Sequence, residues 1–135
     1  MIVVDTNIVA YLLMEGGQSA AARRLHERDA DWRSEAFLLV EFTNVLVSSI
    51  AAKRMTFSQA TDFLTNGTAL FAGKLQHVSH AAVLETAQHY RITAYDARFL
   101  ALAQQLKSRL TTEDARLRAA APELTQSLAD AVAQL

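Results

Sequence analysis

The 135-residue sequence has no cysteine, one proline and four glycines. Without cysteine there are no disulfides and no thiolate metal sites, which suits a reducing cytoplasm. So little Pro and Gly leaves scant material for linkers, and no internal repeat or low-complexity tract interrupts the chain. One domain over residues 1–135 is expected. No apolar run approaches the roughly 18 residues that a membrane span requires. Met1 leads directly into Ile2-Val3-Val4-Asp5 with no basic region or cleavage site, so a signal peptide is not expected and a cytoplasmic location is. An excess of one charge is missing too: 13 basic and 14 acidic residues leave a net charge of −1. Global charge therefore does not advertise a nucleic-acid partner, and any basic surface must be local. There is no Gly-rich phosphate loop and no Ser nucleophile elbow. His77 and His80 stand three apart with no third ligand following, short of what a zinc site needs.

What is present reads as an α/β protein. Hydrophobic residues at 51% and charged residues at 20% lie near the globular average. Met1–Val4 is apolar and β-branched, a buried strand that ends at Asp5. Helices are expected over Thr6–Met14, closed by Gly16-Gly17, and over Gln18–Asp29. A brief strand at Trp32–Ser34 precedes a largely buried helix from Phe37 to Ala52. Thr56 or Ser58 caps a further helix through Leu64, with Asn66-Gly67 marking its end. Then come a short strand at Leu75–Val78, helices over His80–Tyr90 and Ala97–Leu106, and a strand at Arg109–Thr112. Asp114–Ala121 opens a helix that Pro122 interrupts, and Leu124–Leu135 forms a last amphipathic one. Short strands alternating with helices imply a parallel sheet covered by helices. Sites in such folds lie beyond the carboxyl ends of the strands, where Asp5 and Thr112 fall.

Four acids stand out, each with a bland explanation beside the functional one. Asp5 could simply cap the helix that follows it. Asp96 is third after Thr93, and Asp114 is third after Thr111, so each could close a reciprocal cap, although that box prefers Glu or Gln. Glu41 is harder to dismiss. It sits in Phe37-Leu38-Leu39-Val40-Glu41-Phe42-Thr43-Asn44-Val45-Leu46-Val47, where the one polar strip is Glu41, Asn44 and Ser48. A carboxylate buried there costs several kcal/mol unless a cation or strong donors meet it. Gathered together, the four would repel and take up protons unless a divalent cation neutralised them. Hard oxygen ligands without His or Cys favour Mg²⁺ or Mn²⁺, and the chemistry that suits such a site is phosphodiester hydrolysis. Affinity for the ion should then weaken as pH falls from about 7 toward 5.

At this point the residues resemble the PIN-domain ribonucleases, and within them toxins of the VapC type. The blocks that carry the resemblance run in order to about Pro122. They are Val3-Val4-Asp5-Thr6-Asn7, Ser34 with Val40-Glu41-Phe42-Thr43-Asn44-Val45-Leu46, Thr93-Ala94-Tyr95-Asp96-Ala97-Arg98-Phe99-Leu100-Ala101-Leu102-Ala103, and Leu110-Thr111-Thr112-Glu113-Asp114-Ala115-Arg116-Leu117. The third is the most specific. The resemblance implies a three-layer α/β/α fold with a central, mainly parallel sheet. It also implies Mg²⁺- or Mn²⁺-dependent RNA cleavage, a homodimer, and a cognate antitoxin that occludes the site. Carried over by position, Asp5, Glu41, Asp96 and Asp114 are the catalytic acids, with Asp5, Asp96 and Asp114 binding metal. Glu41 binds through water or orients the nucleophile. Thr6, Asn7 and Thr112 hold the carboxylates in place. Whether Asp114 or its neighbour Glu113 points inward stays open.

RNA phosphates need nearby cations, and Arg98 and Arg116 lie close to the acids in sequence. Two rival functions remain: a PIN-like scaffold that has lost catalysis and works through partners, and a phosphotransferase or phosphatase using Asp5 as nucleophile. The second usually has another Asp two residues on, where Asn7 stands here.

Overall fold

In a computed structural model that describes residues 1–134, five strands form one parallel sheet in the order β3-β2-β1-β4-β5. The chain runs β1 (Ile2–Val4), α1 (Thr6–Leu13), α2 (Ser19–Arg28), β2 (Trp32–Glu35), α3 (Leu38–Ala51), α4 (Phe57–Leu70), β3 (Leu75–Gln76), α5 (His80–Tyr90), α6 (Ala94–Gln105), β4 (Leu110–Thr111), α7 (Ala115–Ala120), β5 (Thr125–Gln126) and α8 (Leu128–Ala133). The expected three-layer α/β/α arrangement is the one observed.

β1 is central because its side chains suit burial on both faces. Ile2, Val3 and Val4 are all buried, and β1 registers against Trp32 and Arg33 on one side and Leu110 and Thr111 on the other. The chain builds outward from β1 to β2 and β3, then returns to add β4 and β5 on the opposite side. α1 packs with α2, α3 and α4, and α5 packs with α6, the separation onto two faces expected of right-handed crossovers. The direction of building therefore reverses between β1 and β4, and a crevice opens at the carboxyl ends of those two strands. α6 lies across β1, β2 and β4, and its run from Phe99 to Ala103 is buried.

Three expectations are corrected. The helix expected to stop at Asn66-Gly67 continues to Leu70. Gly67 is buried inside it, and a Cβ there would stand 3.3 Å from Phe42 and 3.4 Å from Leu13. Its missing side chain thus lets α4 approach α3 and α1 rather than ending the helix. The expected helix over Leu124–Leu135 is a strand and then a helix. Leu110 N–H donates to Leu124 O and Thr112 N–H to Gln126 O, because β4 still has an unpaired edge to satisfy. Leu124, Leu128 and Ala131 happen to repeat at helical spacing. Leu135 lies outside the described residues. Finally, α3 is not buried all round: Val40 and Val47 are 60% and 56% exposed, and Asn44 and Ser48 on the polar strip are exposed too. Among the described residues no helix is long and apolar enough to cross a membrane.

Candidate active site

Asp5 is the first residue after β1, and the strand holds it at the crevice. Its carboxylate caps α1, accepting the N–H of Ile8 at 3.5 Å, and also accepts the Thr112 hydroxyl from beyond β4. The capping explanation and the site explanation are therefore both true of it. The Thr112 hydroxyl in turn accepts the N–H of Asp114 at 3.1 Å. Asp114 caps the short α7 through Oδ1, which receives Arg116 N–H at 3.0 Å and Leu117 N–H at 3.1 Å.

The other two acids come from helices. Glu41, in the first turn of α3, accepts the Thr6 hydroxyl at 2.7 Å, so Thr6 at the start of α1 fixes it. Asp96 lies in the first turn of α6, and its N–H donates to the Thr93 hydroxyl at 3.1 Å. All four acids line one open cleft of ≈ 500 Å³, together with Thr6, Asn7, Phe37, Val40, Asn44, Val45, Tyr95 and Phe99. Glu113 lies elsewhere. Its two oxygens accept Gln18 Nε2 at 3.1 Å and Leu128 N–H at 2.9 Å, with Arg118 at 3.5 Å. Asp114, and not Glu113, is thus the acid on the cleft.

The electrostatics show how uncomfortable these acids are together. Burial pushes the Asp5 carboxyl up to about 7, against the Thr112 and Ile8 hydrogen bonds, with the charges of Asp96 and Glu41 adding to the rise. Glu41 is raised by burial, opposed by its bond from Thr6 and helped by Asp96. Asp96 is raised by burial and then by Asp114, while Thr93 and Arg116 pull it back. Carboxylates raised in this way gain from a neighbouring cation, and a set without His or Cys suits a hard one. The donor set fits Mg²⁺ or Mn²⁺ in kind. As placed, no three His, Cys, Asp or Glu among the described residues form a group able to hold a metal ion, whereas Mg²⁺ is commonly held by one or two carboxylates with water and substrate phosphate completing its shell.

The remaining candidates divide. Asn7 is exposed at the cleft. Arg116 is exposed, and its charge reaches Asp96. Arg98 is drawn away from the cleft to Glu35: Nη1 stands 3.4 Å from Oε2, and its side chain is only 19% exposed. Glu35 itself escaped the sequence reading. It ends β2, is fully buried, and also accepts Phe37 N–H at 2.6 Å and Val78 N–H at 3.1 Å. Its place at a strand's carboxyl end, like that of Asp5, was the available signal.

The family model of the PIN domain matches residues 2–122 of the chain. The crystal structure of PAE2754 from Pyrobaculum aerophilum is similar with a TM-score of 0.75 at 17% identity, covering 98% of this chain and 94% of that one. At that identity the likeness concerns the fold alone. No curated protein sequence matches the chain.

Proposed function

The chain belongs to the PIN-domain family, whose members are generally nucleases, and from that premise we propose that it is a divalent-metal-dependent endoribonuclease. One observation carries the reading: Asp5, Glu41, Asp96 and Asp114, from four separate segments, line a single cleft at the switch between β1 and β4. Asp5 and Asp96 would hold Mg²⁺ or Mn²⁺, with Asp114 beside them. When bound, the cation supplies positive charge to a phosphodiester and acidity to the attacking water. The protein's own part is to keep the acids fixed. Thr112 orients Asp5 and Thr6 orients Glu41, and Glu41 would align or deprotonate the nucleophile. Arg116 is the candidate for a substrate phosphate.

The narrower reading, a VapC-type toxin acting as a cytoplasmic homodimer with a cognate antitoxin, draws on the sequence resemblance. Induced expression should arrest growth, and co-expression of a small DNA-binding protein encoded beside it should relieve the arrest. Arrest that persists in an Asp5→Asn strain would refute the toxin reading.

Purified protein with Mn²⁺ or Mg²⁺ should cut RNA, and chelator should stop it. Cleavage unchanged in chelator would contradict the proposal. A second reading, a catalytically inactive scaffold, draws on the spacing of the acids, no three of which form a metal-holding group as placed. Calorimetric titration with Mn²⁺ decides between them, since a scaffold that has lost the site gives no binding heat.

A further inference from the structure

Beside the acids, the cleft carries an aromatic surface that the chemistry above does not use. Tyr95 and Phe37 both line it, with ring planes 13° from parallel and centroids 5.4 Å apart. Tyr95 directly precedes Asp96 in the first turn of α6, so one helical turn delivers the ring and the carboxylate together. Tyr95 is 60% exposed, which leaves its ring accessible. An exposed Tyr is common enough on any surface. This one differs in what holds it.

Phe37 is fixed from the protein side. The buried Glu35 carboxylate accepts its N–H at 2.6 Å and pairs with Arg98 at 3.4 Å. The Arg98 guanidinium carbon in turn lies 5.1 Å from the centroid of the Phe37 ring. Arg98 follows Tyr95 by three positions on α6, so both residues lie on the side of the helix that meets Phe37. A buried carboxylate, an arginine and two rings thus form one braced unit opening on the acidic cleft. Bracing lowers the ordering cost of binding a flat ligand.

We propose that Tyr95, backed by Phe37, is a stacking platform for one unpaired nucleobase of the RNA, adjacent to the phosphate presented to the acids. The identity of the ligand rests on the nuclease reading above. A base inside a duplex has both faces covered, so the platform selects single-stranded or loop RNA. Every base has a π-face, so it confers position more than base identity.

The test is the anisotropy of a short, labelled, unstructured RNA titrated with the full chain in Ca²⁺, with Mn²⁺-dependent cleavage measured in parallel. Tyr95→Ala should weaken binding about tenfold, and Tyr95→Phe should stay within about twofold, since the ring rather than the hydroxyl makes the stack. An abasic nucleotide at one position should weaken binding to the wild type by a similar factor and leave Tyr95→Ala unaffected. Equal affinity of Tyr95→Ala and wild type, or abasic losses identical in both, would overturn the platform. Binding that depends on Tyr95 without any cleavage would refute the nuclease reading alone. Cleavage whose KM is unmoved by Tyr95→Ala would refute the platform alone. A wild type that binds no RNA overturns both.

Discussion

Asp5 and Thr112 meet across the junction of β1 and β4 although 107 positions separate them, the Thr112 hydroxyl donating to the Asp5 carboxylate. The same oxygen accepts the N–H of Asp114 at 3.1 Å, so a single buried hydroxyl fixes two acids relative to each other. Thr112→Val keeps the shape and removes both bonds. It should cost about 1–3 kcal/mol of stability, because the buried Asp5 carboxyl and the part-buried Asp114 N–H both lose their partner. It should also sharply reduce RNA cleavage, with Thr112→Ser retaining most of both. Urea unfolding and a cleavage assay measure the two effects, and an unaltered unfolding midpoint for the Val variant would contradict the bridge.

The raised carboxyl of Asp5 makes metal-free stability depend on pH in an unusual direction. With its folded value near 7 against an ordinary 3.8, the native state holds a proton that the unfolded chain releases. Stability is therefore fullest below about pH 4 as far as this group is concerned, and it falls as pH rises toward 7. In chelator, Asp5→Asn should be more stable than wild type at pH 8 by an amount on the order of 4 kcal/mol, converging near pH 4. Added Mg²⁺ or Mn²⁺ should stabilise the wild type more at pH 8 than at pH 5, because protons compete for the same oxygens. Denaturant midpoints across pH, with and without metal, decide this, and an Asn variant less stable at pH 8 would be the wrong sign.

Glu35 holds three partners in a fully buried place. Glu35→Ala should destabilise by about 3–5 kcal/mol, since it strands the Arg98 charge and two backbone N–H groups. Glu35→Gln, which keeps an acceptor, should lose less. Thermal unfolding separates the two, and equal losses would mean that charge pairing with Arg98 dominates instead.

At Gly67 the constraint is steric. A Cβ alone already crowds Phe42 at 3.3 Å and Leu13 at 3.4 Å, and the two further methyls of Gly67→Val should cost about 1–3 kcal/mol through overpacking. A Val variant as stable as wild type would show that α4 shifts freely.

Much of the site was legible in sequence because a strand end and a helix start are local signals. Ile2-Val3-Val4 before Asp5 marks a buried strand that delivers an acid, and Thr93 and Thr112 lie beside the acids they help position. The errors came where tertiary packing decides. Gly67 looks like a helix stop until Phe42 and Leu13 press on it. Thr125 and Gln126 read as helix because the open edge of β4 is not visible in their neighbours. Arg98 stands two residues after the third acid in sequence, yet the buried Glu35, 63 positions away, claims it. The choice between Glu113 and Asp114 likewise depended on Gln18 and Leu128, far away in the chain.

The most direct measurement is cleavage of an unstructured RNA with Mn²⁺ by the wild type and by Asp96→Asn, whose folding is checked by its unfolding midpoint. Asp96 lines the cleft from the start of α6. Removing its charge should abolish cutting while leaving the protein folded. Cutting at the wild-type rate by a folded Asp96→Asn protein would contradict the claim that these acids form the catalytic site.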